Sequence, residues 1–287
     1  MIKLKNVSYV YMQGGPFEKK ALNNVSLEID EGEFIGLIGH TGSGKSTLIQ
    51  LLNGLLKPSE GEITVGKYCL TDKKTKLRDV RFDVGLVMQY PEYQLFEETV
   101  FKDIAFGPKN MGLDEEEIRH RVEFAANLVG LKSELLDKSP FDLSGGQKRR
   151  AAIAGVLAME PKVLILDEPT AGLDPAGRDE ILYKIKDMHE RMNLTVILVS
   201  HSMEDVAKLA DRILVMNGGE VEMFGTPREI FKKGDRLTEI GLNVPQVTRI
   251  ADGLRRRGFP IDDGIYTVEE ATYCISRILK GEGESKC

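Results

Sequence analysis

Short apolar runs rich in β-branched residues alternate with helical patterns along most of this chain. The runs at 33–39, 163–167 and 195–200 are apolar at nearly every position, so both faces of these strands should be buried. The segments after them place apolar residues three and four positions apart, which is the spacing of a helix with one buried face. This alternation predicts an α/β fold in which helices cover a mostly parallel sheet.

Two helices are predicted most clearly. One covers 45–55, directly after the first buried strand. The other ends near 192, with Asp174 placed to cap it and Pro175 to begin it. The apolar positions of this second helix indicate packing against a core: Ile181, Leu182, Ile185 and Met188.

The segment from about 90 to 142 has helical periodicity and no strand-like runs. A further helix begins near 144, so we predict a helical subdomain inserted over roughly 90–158. The apolar stripe of its clearest helix consists of Ile118, Val122, Ala125, Ala126 and Val129.

The last part of the main domain should contain a hairpin. The segment 212–225 predicts two short strands joined by a turn at Asn217 and Gly218. Thr226 and Glu229 then have the spacing of a capping box at a helix start.

The pattern changes after about residue 234. Two short amphipathic helices are expected near 245–257 and 268–280, followed by a polar tail. We therefore place the main domain at 1–234 and a helical extension at 235–287. The extension is too short for a core of its own and should pack on the main domain or on a partner.

Composition narrows the class of protein. The chain has 287 residues, 29% charged and 41% hydrophobic, as soluble globular proteins do. A net charge of −6 argues against a protein that coats nucleic acid. Cys69, Cys274 and Cys287 have neither disulfide-framework nor zinc-site spacing. The start lacks a signal-peptide pattern and no apolar run approaches the roughly 20 residues of a membrane span, so a membrane role would be peripheral.

The stretch GHTGSGKST at 39–47 has the full spacing of a phosphate-binding loop between a strand and a helix. Its glycines let backbone N–H groups converge on phosphate oxygens at a helix N-terminus. Lys45 would reach the β- and γ-phosphates, and the Ser46 hydroxyl would bind Mg²⁺. An accidental glycine-rich turn is the alternative. The candidate nucleotide-binding residues here are Gly39, His40, Thr41, Gly42, Ser43, Gly44, Lys45, Ser46 and Thr47.

Four polar residues end other buried strands. Asp167 can hold Mg²⁺, and Glu168 can take a proton from an attacking water. His201 could point at the γ-phosphate, and the Gln89 amide could reach both Mg²⁺ and the water. Alone, each would be an ordinary strand-end residue, but beside a phosphate loop the catalytic interpretation is favoured.

A second anion-binding turn lies about a hundred residues beyond the first. Ser144, Gly145, Gly146 and Gln147 open a helix, and a serine with paired glycines at a helix N-terminus can bind an anion. If the helical subdomain projects from the sheet, this turn cannot reach the γ-phosphate of its own molecule. We therefore expect it to meet the nucleotide of a second molecule.

These motifs, in this order, resemble the nucleotide-binding subunit of ATP-binding cassette (ABC) transporters over residues 1 to 230. The resemblance implies ATP and Mg²⁺ as ligands and an ABC ATPase core with an N-terminal antiparallel β subdomain. It also implies that Tyr11 stacks on adenine, although a core tyrosine is the alternative. AGLD at 171–174 resembles the loop that crosses the dimer interface, with Asp174 as its key residue.

A narrower resemblance, to the ATPases of energy-coupling factor (ECF) importers, is carried by QYPEYQLFEETVFKDIAFGPKN and GGQKRRAAIAGVLAMEP. It implies a dimer with an identical or related ATPase, which drives import of vitamins or transition-metal ions. It further implies a transmembrane coupling protein, a substrate-binding membrane subunit, and a peripheral location on the cytoplasmic face of the membrane. The C-terminal helices resemble that family's dimerisation element.

The docking surface for the coupling protein should lie beside Gln89. Exposed apolar patches rimmed by polar groups mark interfaces. The expected patch is Tyr90, Glu92, Tyr93, Leu95 and Phe96. The alternative is that Leu95 and Phe96 pack under the inserted helices.

Two other functions remain open at this point. One is the ATPase of another ABC transporter class. The other is a soluble ABC protein that acts on DNA or ribosomes. Such proteins usually carry two cassettes or a long coiled insertion, and this sequence has neither. Its acidic charge also disfavours that function.

Overall fold

Two β-sheets run through the protein, whose computed structural model describes residues 1–280. The predicted tail at 281–287, with Cys287, lies outside the described residues. The ten strands are β1 (Ile2–Tyr11), β2 (Lys19–Ile29), β3 (Phe34–Ile38), β4 (Glu60–Val65), β5 (Tyr68–Cys69), β6 (Val84–Val87), β7 (Val163–Asp167), β8 (Thr195–Val199), β9 (Arg212–Asn217) and β10 (Glu220–Gly225) within this range.

Eleven helices accompany these strands within residues 1–280. They are α1 (Lys45–Leu52), α2 (Leu77–Asp83), α3 (Val100–Met111), α4 (Glu115–Leu128), α5 (Gly145–Leu157), α6 (Pro175–Met192), α7 (Met203–Leu209), α8 (Pro227–Phe231), α9 (Gly234–Glu239), α10 (Gln246–Arg256) and α11 (Val268–Leu279). None of them is long and apolar enough to span a bilayer.

The larger sheet has six strands in the order β10-β9-β3-β8-β7-β6, all parallel except β10. The smaller sheet is antiparallel, in the order β2-β1-β4-β5. The α/β fold with an N-terminal antiparallel sheet is therefore confirmed.

The larger sheet lies between two cores, which explains its apolar strands. In β7, Leu164 and Leu166 pack against the helical side, whereas Val163 and Ile165 pack against the side of the antiparallel sheet and α1. Successive strand residues point to opposite faces, so both faces must be apolar. The prediction that β7 and β8 are interior strands is confirmed, since each has a neighbour on both sides.

This topology fixes where a site can form. Because β3, β6, β7 and β8 are parallel, their carboxyl ends meet at one edge of the sheet. Ligands of such sheets bind in the crevice outside the carboxyl ends. The segments after these four strands are the ones that carry the predicted strand-end residues.

Two local predictions were wrong in detail. The hairpin turn consists of Gly218 and Gly219, one position later than predicted, because both adopt positive φ (56° and 84°), which a two-residue hairpin turn requires. Helix α1 ends at Leu52 and not near 55, and Gly54 follows with φ 68°. The caps at Asp174 and Thr226 are confirmed.

The inserted segment and the C-terminal segment each form helical clusters. Helices α3, α4 and α5, which follow β6 and precede β7 along the chain, pack against one another. All five residues of the predicted apolar stripe are buried. Four of them lie in α4, and Val129 is its C-terminal cap. Helices α10 and α11 share a small apolar cluster, and Glu270 of α11 binds Arg228 of α8 at 2.6 Å.

Helix α7 packs so closely on β3 that only glycine fits at Gly36. A Cβ there would lie 2.4 Å from Val206 Cγ1 and 3.3 Å from Ala210 Cβ. We expect Gly36→Ala to lower the free energy of unfolding by about 1–3 kcal/mol, as overpacked cores do. Gly253→Ala in α10 is the matched control, because nothing lies within 4 Å of its added methyl. The control should be stabilising by about 0.5–1 kcal/mol, and equal melting temperatures of both variants in thermal unfolding would contradict the packing.

Candidate functional site

The loop between β3 and α1 has the backbone conformation of a phosphate cradle. Gly42 and Gly44 have φ 83° and 104°, which side chains rarely adopt. A Cβ at Gly44 would lie 2.8 Å from the carbonyl oxygen of Ala21, whereas one at Gly42 would enter open space. The loop is therefore packed on one side and open on the side where a ligand would approach.

Two polar side chains, one in the loop and one at the first residue of α1, are buried: Ser43 and Lys45. The Lys45 ammonium donates to the carbonyl oxygens of Gly39 (2.7 Å) and His40 (3.0 Å), and burial lowers its pKa, opposed in part by Glu168. The Ser43 hydroxyl is fully buried and has no hydrogen-bond partner among residues 1–280. Lys45 lines the cavity described below, so its ammonium fits a site for an added anion, whereas Ser43 does not line that cavity.

Asp167 and Glu168 lie where β7 ends. Glu168 has φ 51°, uncommon for a residue other than glycine, and its N–H donates to the carbonyl oxygen of Val199 at 3.1 Å. Burial, followed by the charge of Asp167, raises the pKa of Glu168 to about 7. Burial also raises the pKa of Asp167. Glu168 therefore changes charge near neutral pH, as a general base should.

His201, after β8, faces the same carboxylate. Its Nε2 is 3.6 Å from Oε1 of Glu168, an atom without a hydrogen-bond partner in the described residues. Burial lowers the pKa of His201, and the nearby Lys45 lowers it further. A neutral imidazole beside a carboxylate that is ready to accept a proton suits the site's proposed chemistry.

One cavity of about 700 Å³ gathers most of the predicted residues. Tyr11 lies at its edge, 37% exposed, and its hydroxyl is hydrogen-bonded to Thr47 Oγ1 at 3.2 Å. It is therefore not a core tyrosine. The predicted residues that line the cavity are Tyr11, Thr41, Gly42, Gly44, Lys45, Ser46, Thr47, Gln89, Asp167, Glu168 and His201.

The second predicted anion turn does not line this cavity. Ser144 and Gln147 form a reciprocal capping box at the start of α5, and a Cβ at Gly145 would meet nothing within 4 Å. Asp174 also lies outside the cavity, where its carboxylate accepts from the N–H of Gly177 at 2.7 Å. Of the remaining loop residues, Gly39, His40 and Ser43 shape the loop without lining the cavity.

Arg149 is a functional candidate that sequence reasoning missed. It is only 2% exposed, and it binds Glu92, Pro169 and Ala171. One signal was present in the sequence: Arg149 lies four residues before Ile153, on the buried side of α5. Within the run Lys-Arg-Arg, however, nothing else distinguished it from a solvated charge.

The exposure expected for the docking patch was wrong for two of its five residues. Tyr93 and Phe96 are exposed (84% and 60%), and so is Tyr90. Glu92 is half-buried because it binds Arg149, and Leu95 is half-buried against the helical core.

Known proteins resemble this chain closely. Residues 22–171 match the family described as ABC transporter. The energy-coupling factor transporter ATP-binding protein EcfA2 of Caldanaerobacter subterraneus is 61% identical over 280 residues, 98% of either chain. This chain belongs to the ABC transporter family. The EcfA2 protein of Clostridium tetani is 62% identical to this ABC ATPase over 282 residues, again 98% of either chain.

Solved structures of ABC cassettes have the same fold as this ABC ATPase. CbiO1 from Clostridium perfringens, described as part of the ABC transporter complex CbiONQ, has a TM-score of 0.74 at 40% identity and covers 88% of this chain and 98% of its own. An ATP-binding cassette dimer bound to ADP and phosphate after hydrolysis has a TM-score of 0.71 at 33% identity, over 79% of this chain and 98% of its own. Membership in this family makes the chain an ATP-binding and ATP-hydrolysing subunit.

The raised pKa of Glu168 predicts the pH dependence of ATP hydrolysis. As the proposed base, Glu168 acts in its carboxylate form, so activity should be lost as the pH falls through its pKa of about 7. We expect kcat/KM for ATP to fall about tenfold per pH unit below that point, with little change above it. Steady-state assays between pH 5 and 9 would show this. An inflection near 4.5, the ordinary value for glutamate, would contradict the assignment, and Glu168→Gln should remove the inflection.

Proposed function

We propose that this chain is an ATPase subunit of an energy-coupling factor importer of vitamins or transition-metal ions, and that it works as a dimer with a second ABC ATPase. The relatives named above are energy-coupling factor ATP-binding proteins over nearly their whole length. Each ATP lies between the phosphate loop of one subunit and the Ser144–Gln147 turn of the other.

The observation that carries the dimer is the separation of the two anion turns. The phosphate loop lines the cavity, and none of residues 144–147 does. An open helix N-terminus with unhindered glycines is an anion site that this chain leaves unused. A second copy or a related ATPase supplies the missing half, and Asp174 crosses the same interface.

The residues of the cavity suit Mg²⁺ and ATP. Among residues 1–280 no three His, Cys, Asp or Glu side chains cluster as a metal site. Magnesium in phosphoryl-transfer sites needs only one or two carboxylates, because phosphate oxygens and water complete its shell. Asp167, the Ser46 hydroxyl and the Gln89 amide oxygen would hold it. When bound, it supplies positive charge at the β- and γ-phosphates.

Hydrolysis then follows from the placement of this chain's own groups. Lys45 turns from the loop carbonyls to the β- and γ-phosphates, and Tyr11 stacks on the adenine. Glu168 accepts a proton from a water whose oxygen bonds to the γ-phosphorus, while the bond to the β–γ bridging oxygen breaks. His201 stabilises the γ-phosphate. The products are ADP and phosphate, and closure is lost with the ligand that favoured it.

The membrane partner docks beside Phe96. An apolar groove of about 290 Å³ lies there, between the segment after Gln89 and helices α3 and α5. Its walls include Phe82, Leu95, Phe96, Phe106, Ala152 and Met159. A short helix of a transmembrane coupling protein fits such a groove. That protein carries the substrate-binding membrane subunit, so the ATPase sits peripherally at the cytoplasmic face. Helices α10 and α11 serve as a dimerisation element.

Mixing two inactive variants tests the shared site. Lys45→Ala removes the phosphate-loop cation, and Ser144→Arg blocks the opposite turn. In a mixed dimer one site receives both defects and the other neither. A 1:1 mixture should therefore recover roughly a quarter of the wild-type ATPase rate from statistical pairing, while each variant alone stays near background. A mixture no faster than the sum of its parts would contradict a site built from two copies of this chain.

Phe96→Glu tests the docking groove. A charge in an apolar groove opposes burial of the partner helix, so we expect co-purification with the membrane coupling protein to fall at least about tenfold. ATP binding should be unchanged. Tyr183→Glu on α6 is the matched control, since Tyr183 is similarly exposed (69% against 60%) and lies outside the groove. Equal recovery of both variants with the membrane scaffold would argue against this docking surface.

A further inference from the structure

The guanidinium of Arg149 joins three separate segments of the chain. Its Nε and Nη2 donate to the two carboxylate oxygens of Glu92 at 3.1 and 2.8 Å. Its Nη1 donates to the carbonyl oxygens of Pro169 (3.2 Å) and Ala171 (2.6 Å). The segments are α5, the 3₁₀ turn Pro91–Gln94 and the turn after β7.

The two carbonyls belong to the turn that holds the proposed base. Pro169 is next to Glu168, and the N–H of Ala171 donates to the Glu168 carbonyl oxygen at 3.2 Å. Left-handed backbone at a residue such as Glu168, whose φ is 51°, persists only when its surroundings hold it there. Arg149 is one of the groups that hold it. The same turn leads to Asp174, three residues beyond Ala171.

Glu92 in turn orients Arg149. Two parallel N–H to oxygen bonds fix the plane of the guanidinium as well as its position. Because the arginine side chain is only 3% exposed, its charge needs this carboxylate. Glu92 lies three residues after Gln89, in the segment that begins with Tyr90 at φ 55°. The guanidinium is therefore bonded both to that segment and to the carbonyls beside Glu168.

We propose that Arg149 is a positioning residue: it sets the geometry of the turn 168–174 by reference to the segment 89–94. Its effect on hydrolysis depends only on contacts within this chain. Its effect on transport rests on the proposed docking of a membrane protein beside Phe96. Through this contact, the position of the docked protein changes the placement of Glu168.

Two substitutions weaken the contact in different ways. Glu92→Gln keeps the shape of the side chain and removes its negative charge. Arg149→Lys keeps the positive charge and removes the planar guanidinium that makes two parallel hydrogen bonds to Glu92. Glu180→Gln is the matched control. It removes the partner of Arg150, the next residue of α5, in a more exposed ion pair of 2.6 Å.

Kinetics of the purified dimer separate positioning from simple packing. We expect both variants to lower kcat for ATP roughly 10- to 100-fold, as small misplacements of catalytic groups do. The Kd for ATP should stay within about twofold of wild type, because the phosphate loop is untouched. The control should retain the wild-type kcat. If Arg149→Lys does not fold, Glu92→Gln decides the question alone.

A kcat within about twofold of wild type in Glu92→Gln, whatever its melting temperature, would overturn the proposal. Arg149 would then only stabilise the folded structure. The assembled transporter gives the second readout: the membrane scaffold should change the ATPase rate of wild type and of Glu180→Gln, and should change that of Glu92→Gln less although it still co-purifies. A scaffold that fails to bind wild type would refute the docking proposal, while the kcat of the soluble dimer would still decide the role of Arg149.

Discussion

Burial of β7 on both faces is the constraint on which the rest of the structure depends. The strand can occupy an interior position in the larger sheet only because its residues are apolar in both directions. The same burial places Asp167 and Glu168 in the lining of the cavity, partly removed from solvent. Their raised pKa values are a direct consequence. The fold and the acid–base chemistry therefore have one physical cause, which is removal of this strand from solvent.

In the proposed dimer, the cavity of one chain supplies the groups for phosphate binding and proton transfer, and the second chain supplies the contacts on the opposite side of the nucleotide. A ligand that binds two chains together stabilises their association by its own binding free energy. Association and hydrolysis are then linked, since hydrolysis changes the ligand that holds the chains closed. In this proposal, hydrolysis of ATP changes the arrangement of the two ATPase chains and of the membrane proteins bound to them.

The features that could be predicted from the sequence are those that depend on local residue pattern: the buried strands and the conformation of the phosphate loop. The apolar runs identified the interior strands, and the loop at 39–47 has a conformation set by its own glycines. The hairpin turn was wrong by one residue because Gly218 and Gly219 both supply positive φ, and the sequence does not say which glycines form the turn.

Arg149 was missed for a different reason. Its three partners lie 57, 20 and 22 residues away along the chain, so only the folded structure brings them together. The error at Glu92 has the same origin, because a charge next to exposed aromatic residues is normally solvated. Side chains whose role depends on a distant partner are the ones that local reasoning places badly.

The packing at Gly36 has a consequence for the position of His201. Helix α7 rests directly on this glycine, and only residues 200–202 connect α7 to the end of β8. His201 lies in the middle of that short connection. A genetic screen for loss of transport would therefore recover core substitutions at Gly36 together with those at His201. Allele position alone would not separate His201, the proposed nucleotide contact, from Gly36, which supports its position.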